Sequence, residues 1–158
     1  MKKLTKKYLN EILEKKGFNP KISWFYIQFK KKFEDEWVID NINLEPAMDN
    51  LISFLNKKKI KEVLFFQEPS GVIIEHINKS VAPAFIETNE LKQFLDKKIY
   101  PLTNSHIASK NLDWIFTITH EDDFFISGDK NLVKEFISFF KDANCRSYED
   151  IAKKWAKK

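Results

Sequence analysis

Residues 113–128 read DWIFTITHEDDFFISG. Two runs rich in aromatic and β-branched residues, 114–119 and 124–126, flank a polar knot, His120-Glu121-Asp122-Asp123. Such residue types fit a pleated, half-buried surface, so the stretch predicts a β-hairpin with the knot at its tip. Gly128 and Asp129 then open an amphipathic segment. Asp129 is placed to cap a helix whose apolar stripe is Leu132, Val133, Phe136, Ile137 and Phe140.

The same order of elements is expected over 60–98. A strand over 60–67 leads into Glu68-Pro69-Ser70-Gly71, which suits a type I turn with Pro at the second position and Gly at the fourth. A return strand follows over 72–76. Thr88 then caps a helix bearing Leu91, Phe94, Leu95 and Ile99, which ends before Pro101. The residues of the two units do not align, so the echo is one of topology alone.

Three further helices are expected. Thr5 caps the first, which runs to about Lys16 with Leu4, Tyr8, Leu9, Ile12 and Leu13 as its stripe. Gly17 suits the left-handed residue after its end, Phe18 folds back over the last turn, and Pro20 prevents continuation. Pro46 belongs in the first turn of a helix over 45–58 that buries Ala47, Met48, Leu51, Ile52 and Leu55. Ser147 with Asp150 resembles a capping box before a last helix carrying Ile151, Ala152 and Trp155.

Residues 22–42 carry two conflicting signals. SWFYIQF has the composition of a strand, yet Phe25, Phe29, Phe33 and Trp37 recur with a helical period of four. A strand over 22–29 is favoured; 30–42 stays open between helix and strand, with a hairpin partner placed around Trp37 to Ile39. The polar stretch 101–112 reads as a loop. Two hairpins and an N-terminal strand predict one α+β domain over 1–158: an antiparallel sheet of four to six strands with helices packed on one face.

Composition narrows the chemistry. The chain has 158 residues, enough for one domain with a real core. Its only cysteine is Cys145, which excludes an internal disulfide and a cysteine-based zinc cluster. Only one of the 27 basic residues, Arg146, is arginine, the side chain best suited to bidentate grip on phosphate and guanine. The lysines are spread along the chain in doublets and triplets, as solvated faces and helix ends would be. With three glycines, at 17, 71 and 128, neither a P-loop nor a dinucleotide fingerprint can be written, and no serine sits in a nucleophile elbow. No apolar run approaches the ~18 residues of a membrane span. The N-terminal stretch begins like a secretory signal, but Lys6, Lys7, Asn10, Glu11, Glu14 and Lys15 interrupt it, and the expectation is a cytoplasmic protein without a membrane partner.

The tip His120, Glu121, Asp122 and Asp123 has three readings. As a metal or acid–base site, joined by His76 or by His106 from the 101–112 loop, it would serve a small hydrolase. Adjacent strand residues point to opposite faces, however, which keeps Asp122 and Asp123 from ligating together in an extended chain. As a charged hairpin end it would keep the turn soluble. As a contact surface its acid would meet a basic partner. A third class, a lysine-dependent nucleic-acid binder, finds its only support in the aromatic-then-basic run SWFYIQFKKK.

The stretch NLDWIFTITHEDDFFISGDKNLVKEFISFF, residues 111–141, resembles small bacterial proteins in which D-W, T-H-E-D and a G-[DS]-x-x-L-V helix start follow in order. Some of those are similar to immunity proteins of toxin systems. The resemblance implies no catalytic residue, metal or cofactor. With it, the sequence reads as a non-enzymatic bacterial domain that binds another protein, such as a cognate toxin, through His120, Glu121, Asp122 and Asp123; Trp114 and Phe116 serve as core anchors.

Overall fold

A computed structural model of the chain describes residues 1–21, 32–67, 81–98, 104–119 and 123–157. Its helices begin and end where local chemistry directs. The first, α1, spans Lys6–Lys15, and the Thr5 hydroxyl accepts a hydrogen bond from the Tyr8 N–H at 3.1 Å. At the other end Gly17 takes φ +80°. Its N–H donates to the Glu14 carbonyl at 2.9 Å, and Phe18 donates to the Leu13 carbonyl at 3.0 Å. Two otherwise orphaned carbonyls are thereby satisfied, and Phe18 is turned back against Leu9 and Leu13.

Helix α2, Leu44–Lys57, has Pro46 in its first turn. It buries Ala47, Met48, Leu51 and Leu55 as expected and Phe54 besides, while Ile52 is only partly buried. Helix α3 spans Leu91–Lys98. Thr88 does not cap it with its side chain: the hydroxyl donates to the Ile60 carbonyl at 2.6 Å and so ties the turn before α3 to the chain entering the sheet. Helix α4, Lys130–Ile137, starts at Asp129, whose carboxylate accepts from the Leu132 N–H at 2.9 Å. Replacing this cap, Asp129→Ala, is expected to cost about 1 kcal/mol. That is a fall in melting temperature of roughly 2–4 °C for a chain of this size, checked by thermal unfolding. Helix α5, Tyr148–Ala156, begins after Ser147, whose hydroxyl accepts from the Asp150 N–H at 3.2 Å. Ile151 on α5 is buried; the side chains of Ala152 and Trp155 are outside what the structure describes.

Eight strands are found among the described residues: β1 Lys2–Lys3, β2 Asp35–Asp40, β3 Glu62–Gln67, β4 Ala84–Glu87, β5 Ser105–Ala108, β6 Ile115–Ile118, β7 Phe124–Gly128 and β8 Asn144–Ser147. They form one sheet in the order β1-β4-β3-β5-β6-β7-β2-β8, with every pairing antiparallel. The α+β class and the antiparallel sheet are as expected. The size of the sheet is corrected from four to six strands to eight.

Two strands account for much of that correction. The supposed 101–112 loop contains β5, a central strand whose four residues are all buried. Residues 144–147 form β8 at the sheet edge. The open stretch resolves in part as well. Trp37 to Ile39 do lie in a strand, but β2 is flanked by β7 and β8 rather than by a preceding hairpin partner. The expected strand over 22–29, the turn over 68–71, the return strand over 72–76 and Ile99 lie outside the described residues.

The expected hairpin at 114–126 is formed. Ile118 faces Phe124, and beyond that pair the Thr119 N–H donates to the Asp123 carbonyl at 2.9 Å. Strand alternation divides the sheet into two faces. One carries Val63, Phe65, Ile107, Phe116, Ile118, Phe124 and Ile126 against α2, α3 and α4. Here Phe116 stacks with Phe124 at 5.8 Å and meets Phe136 at 5.6 Å. The other carries Leu64, Phe66, Ala108 and Ile115 against Leu9 and Leu13 of α1. Helices therefore lie on both faces, not one, because β3 is apolar on both sides and all four residues of β5 are buried.

Candidate functional site

The far end of the sheet from β1, where β7, β2 and β8 lie side by side, holds an open groove of about 520 Å³. Its floor is a cross-strand row fixed by register. Phe125 of β7 faces Val38 of β2, and Val38 faces Arg146 of β8. Asp40 follows Val38 by two residues, and Asp123 precedes Phe125 by two. The groove is lined by both carboxylates and by Trp37. Tyr148, Asp150 and Ile151, from the first turn of α5, line it as well.

Among the described residues the groove is lined by three acids, Asp40, Asp123 and Asp150, and by Arg146, which makes an ion pair with Asp40. The Trp37 indole N–H donates to Asp35 at 3.0 Å, and Trp37 packs against the core on the opposite face of the sheet, beside its cross-strand partner Ile126. Asp123 is partly buried, and its N–H donates to the Thr119 hydroxyl at 3.0 Å. Its backbone is thus fixed by both ends of the hairpin closure.

Of the four residues expected at the tip, Asp123 is the one the structure describes, and it borders this groove. His120, Glu121 and Asp122 lie outside the described residues, as does His76. His106 is placed, and it corrects an expectation. It belongs to β5, is fully buried, and its Nδ1 lies 2.9 Å from the Thr117 hydroxyl, with the Phe66 ring 5.0 Å away. It is a core residue in a cross-strand pair rather than a ligand on a polar loop. Among the described residues no group of three histidine, cysteine or carboxylate side chains is arranged to hold a metal ion.

A second polar pair lies on the same face as His106 and Thr117. Ser127 donates to the buried Glu36 carboxylate at 3.0 Å, and the two residues face each other across β7 and β2. Arg146 does not stand out in the sequence as a site residue, whereas Glu34, Asp35 and Glu36 read there as a second acidic tip facing a basic partner; the burial of Glu36 corrects that expectation for this residue. Only the register reveals that Glu36 points into the interior and that Arg146 reaches Asp40.

Cys145 also lines the groove, and its environment makes it a poor nucleophile. Burial, and then the negative charge of Asp40, push its thiol above the ordinary range, while its sulfur sits 3.7 Å from the Phe140 carbonyl. A raised thiol pKa lowers the thiolate fraction at neutral pH. Alkylation of Cys145 by iodoacetamide at pH 7 is expected to be slower than that of a free thiol. The rate should climb steeply as pH rises, and Asp40→Asn should increase it. A rate equal to that of free glutathione at pH 7 would refute this.

The chain matches no family model, no curated protein and no solved structure. Among the described residues no helix is long and apolar enough to cross a membrane. What the fold and groove define is a class: an α+β protein whose described residues form an eight-stranded antiparallel sheet with a groove at one end.

Proposed function

We propose that this is a non-enzymatic, cytoplasmic domain that binds a basic protein partner through the groove at the β7–β2–β8 end of the sheet, as a toxin-neutralising immunity protein would. The observation that carries this reading is the position of Asp123. It is the base of the acidic hairpin tip, and it lines a groove that also includes Phe125 and Tyr148. Interfaces draw most of their energy from a few aromatic or arginine anchors in a desolvated centre, while charges around them direct encounter and select the partner. Groove and hairpin base together supply both parts, and His120, Glu121 and Asp122 directly precede Asp123 in the sequence.

The test is capture of the partner from the native host by the full chain, with wild type and Asp123→Lys compared. Reversing one charge beside Asp40 is expected to weaken retention at least about tenfold, the scale of like-charge juxtaposition at an interface. Thermal unfolding run alongside separates a loss of binding from a loss of fold, because Asp123 is partly buried. Equal retention by both proteins would remove the tip and groove from the interface.

A further inference from the structure

The positive charge of the chain is gathered in one segment. The formal net charge is +4, yet residues 1–21 alone hold seven lysines against two glutamates. The remaining residues therefore carry one more acid than base. Folding accounts for some of the seven. Lys15 lies in the last turn of α1, where the helix dipole favours a cation, and Lys16 makes an ion pair with Asp113 at 3.4 Å. Folding does not account for Lys2, Lys3, Lys6 and Lys7. All four are exposed, and among the described residues none of them makes an ion pair. Lys6 and Lys7 stand in the first turn of α1, which holds no acid and where the dipole disfavours positive charge. The lysine run at 57–59 differs: Lys58 pairs with Glu135 at 2.8 Å, and Lys57 lies over the Phe139 ring. Apolar surface accompanies the four lysines. Met1 and Tyr8 are the exposed large hydrophobic residues among those described. Tyr8 follows Lys7 and is 47% exposed, whereas the Met1 side chain by itself is 27% exposed, so Tyr8 is the larger apolar contact.

We propose that the surface formed by β1 and the first turn of α1 docks the protein onto an anionic lipid membrane, lying on it without crossing it. Lys2 and Lys3 project to opposite faces of β1, and their long, flexible stems let both ammonium heads reach one plane. Lysine is a point charge that needs no directed geometry, which suits a mobile layer of phosphate headgroups. Nucleic acid would favour arginine, and the single arginine, Arg146, lies on β8 at the other end of the strand order. An aromatic ring beside the cations supplies the second contact, at the boundary between headgroups and acyl chains. Surface docking needs no spanning segment, and the sequence expectation of no membrane partner rested on the lack of one. Strand β1 pairs with β4, away from β7, β2 and β8, so this surface and the groove are separate.

The test is sedimentation of the full chain with vesicles of phosphatidylcholine, alone or with about one-third phosphatidylglycerol. The anionic vesicles are expected to bind at least about tenfold more tightly than the neutral ones, and less tightly as salt is raised. A variant carrying Lys2→Gln, Lys3→Gln, Lys6→Gln and Lys7→Gln should lose at least about tenfold of that affinity. Its control carries Lys130→Gln, Lys134→Gln, Lys141→Gln and Lys157→Gln, which removes the same charge from exposed positions elsewhere. The control should lose less than about threefold, because charges beyond the screening length contribute little. Tyr8→Ala, which keeps every lysine, should weaken binding roughly twofold to threefold. Equal binding to the two kinds of vesicle would overturn the membrane surface, and so would equal losses in the two lysine variants. Binding to a mixed-sequence DNA duplex without binding to vesicles would also overturn it and assign the cluster to nucleic acid. The groove is judged apart from this: the variant at Lys2, Lys3, Lys6 and Lys7 should retain the host protein partner as the wild type does, whereas Asp123→Lys should bind vesicles normally.

Discussion

Phe54→Ala is expected to cost about 3–5 kcal/mol, the range for emptying a large aromatic site in a close-packed core. Phe54 is fully buried, and it ties three parts of the chain together. Its ring lies 4.9 Å from Phe136, 5.8 Å from Phe139 and 6.2 Å from Trp114, so α2, α4 with its following turn, and the lead-in to β6 all meet on it. Each edge-to-face contact adds to the area it buries. A domain has only about 5–15 kcal/mol of net stability, so the variant should lose roughly 6–20 °C in melting temperature. Phe54→Leu should lose less than half as much, because the residual cavity is smaller. Tyr8→Ala is the control: Tyr8 is 47% exposed, and its loss should change stability by no more than about 0.5 kcal/mol. Urea unfolding of the three variants measures all of this. A loss under 1 kcal/mol for Phe54→Ala would show that the ring does not join these elements.

His106→Phe is the second large effect. A planar aromatic ring, slightly larger than imidazole, is kept beside Phe66, so most of the packing is preserved. What goes is the hydrogen bond with the Thr117 hydroxyl, 1% exposed in the middle of the sheet. A buried hydroxyl that loses its partner forfeits hydration without compensation, which costs about 1–3 kcal/mol. Adding Thr117→Val removes the orphan. The double variant should recover most of the loss, with a coupling of about 0.5–3 kcal/mol between the two sites. If the two losses simply add, the pair does not act as a unit. The same result would weaken the view of β5 as a strand fastened into the sheet by its polar side chains.

These two residues also mark what could and could not be read from the sequence. Helix ends were legible because their causes are local. Thr5 and Asp129 reach N–H groups three residues ahead, and Gly17 closes a turn five residues long. The β6–β7 hairpin was legible for the same reason, since its strands are close in sequence. Strand β5 was not. SHIA has two polar residues and no alternation, because both faces of a central strand are covered and the period of two disappears. Its polar residues are satisfied by Thr117 and by Gln67, whose amide donates to Ser105 at 3.1 Å across the sheet. Helices on both faces were missed on similar grounds. Leu64 and Phe66 looked like part of one apolar run with Val63 and Phe65, and only pairing divides them between α1 and the opposite layer.

The candidate site divides along the same line. Its acidic tip could be found by composition, and Asp123 was named from residues next to one another. The groove could not. It requires Asp40, Phe125, Arg146 and Asp150 to meet, and they are brought together by β2 lying between β7 and β8. The sequence by itself determined the α+β class, the caps of α1 and α4, the β6–β7 hairpin and the absence of internal disulfides, because each depends on neighbouring residues or on composition. Tertiary structure alone decided the order of the eight described strands, the burial of His106 and Glu36, and the groove at the β7–β2–β8 end of the sheet. Each of those is a cross-strand pairing between distant segments, and register, which places every side chain on one face or the other, has no local signature.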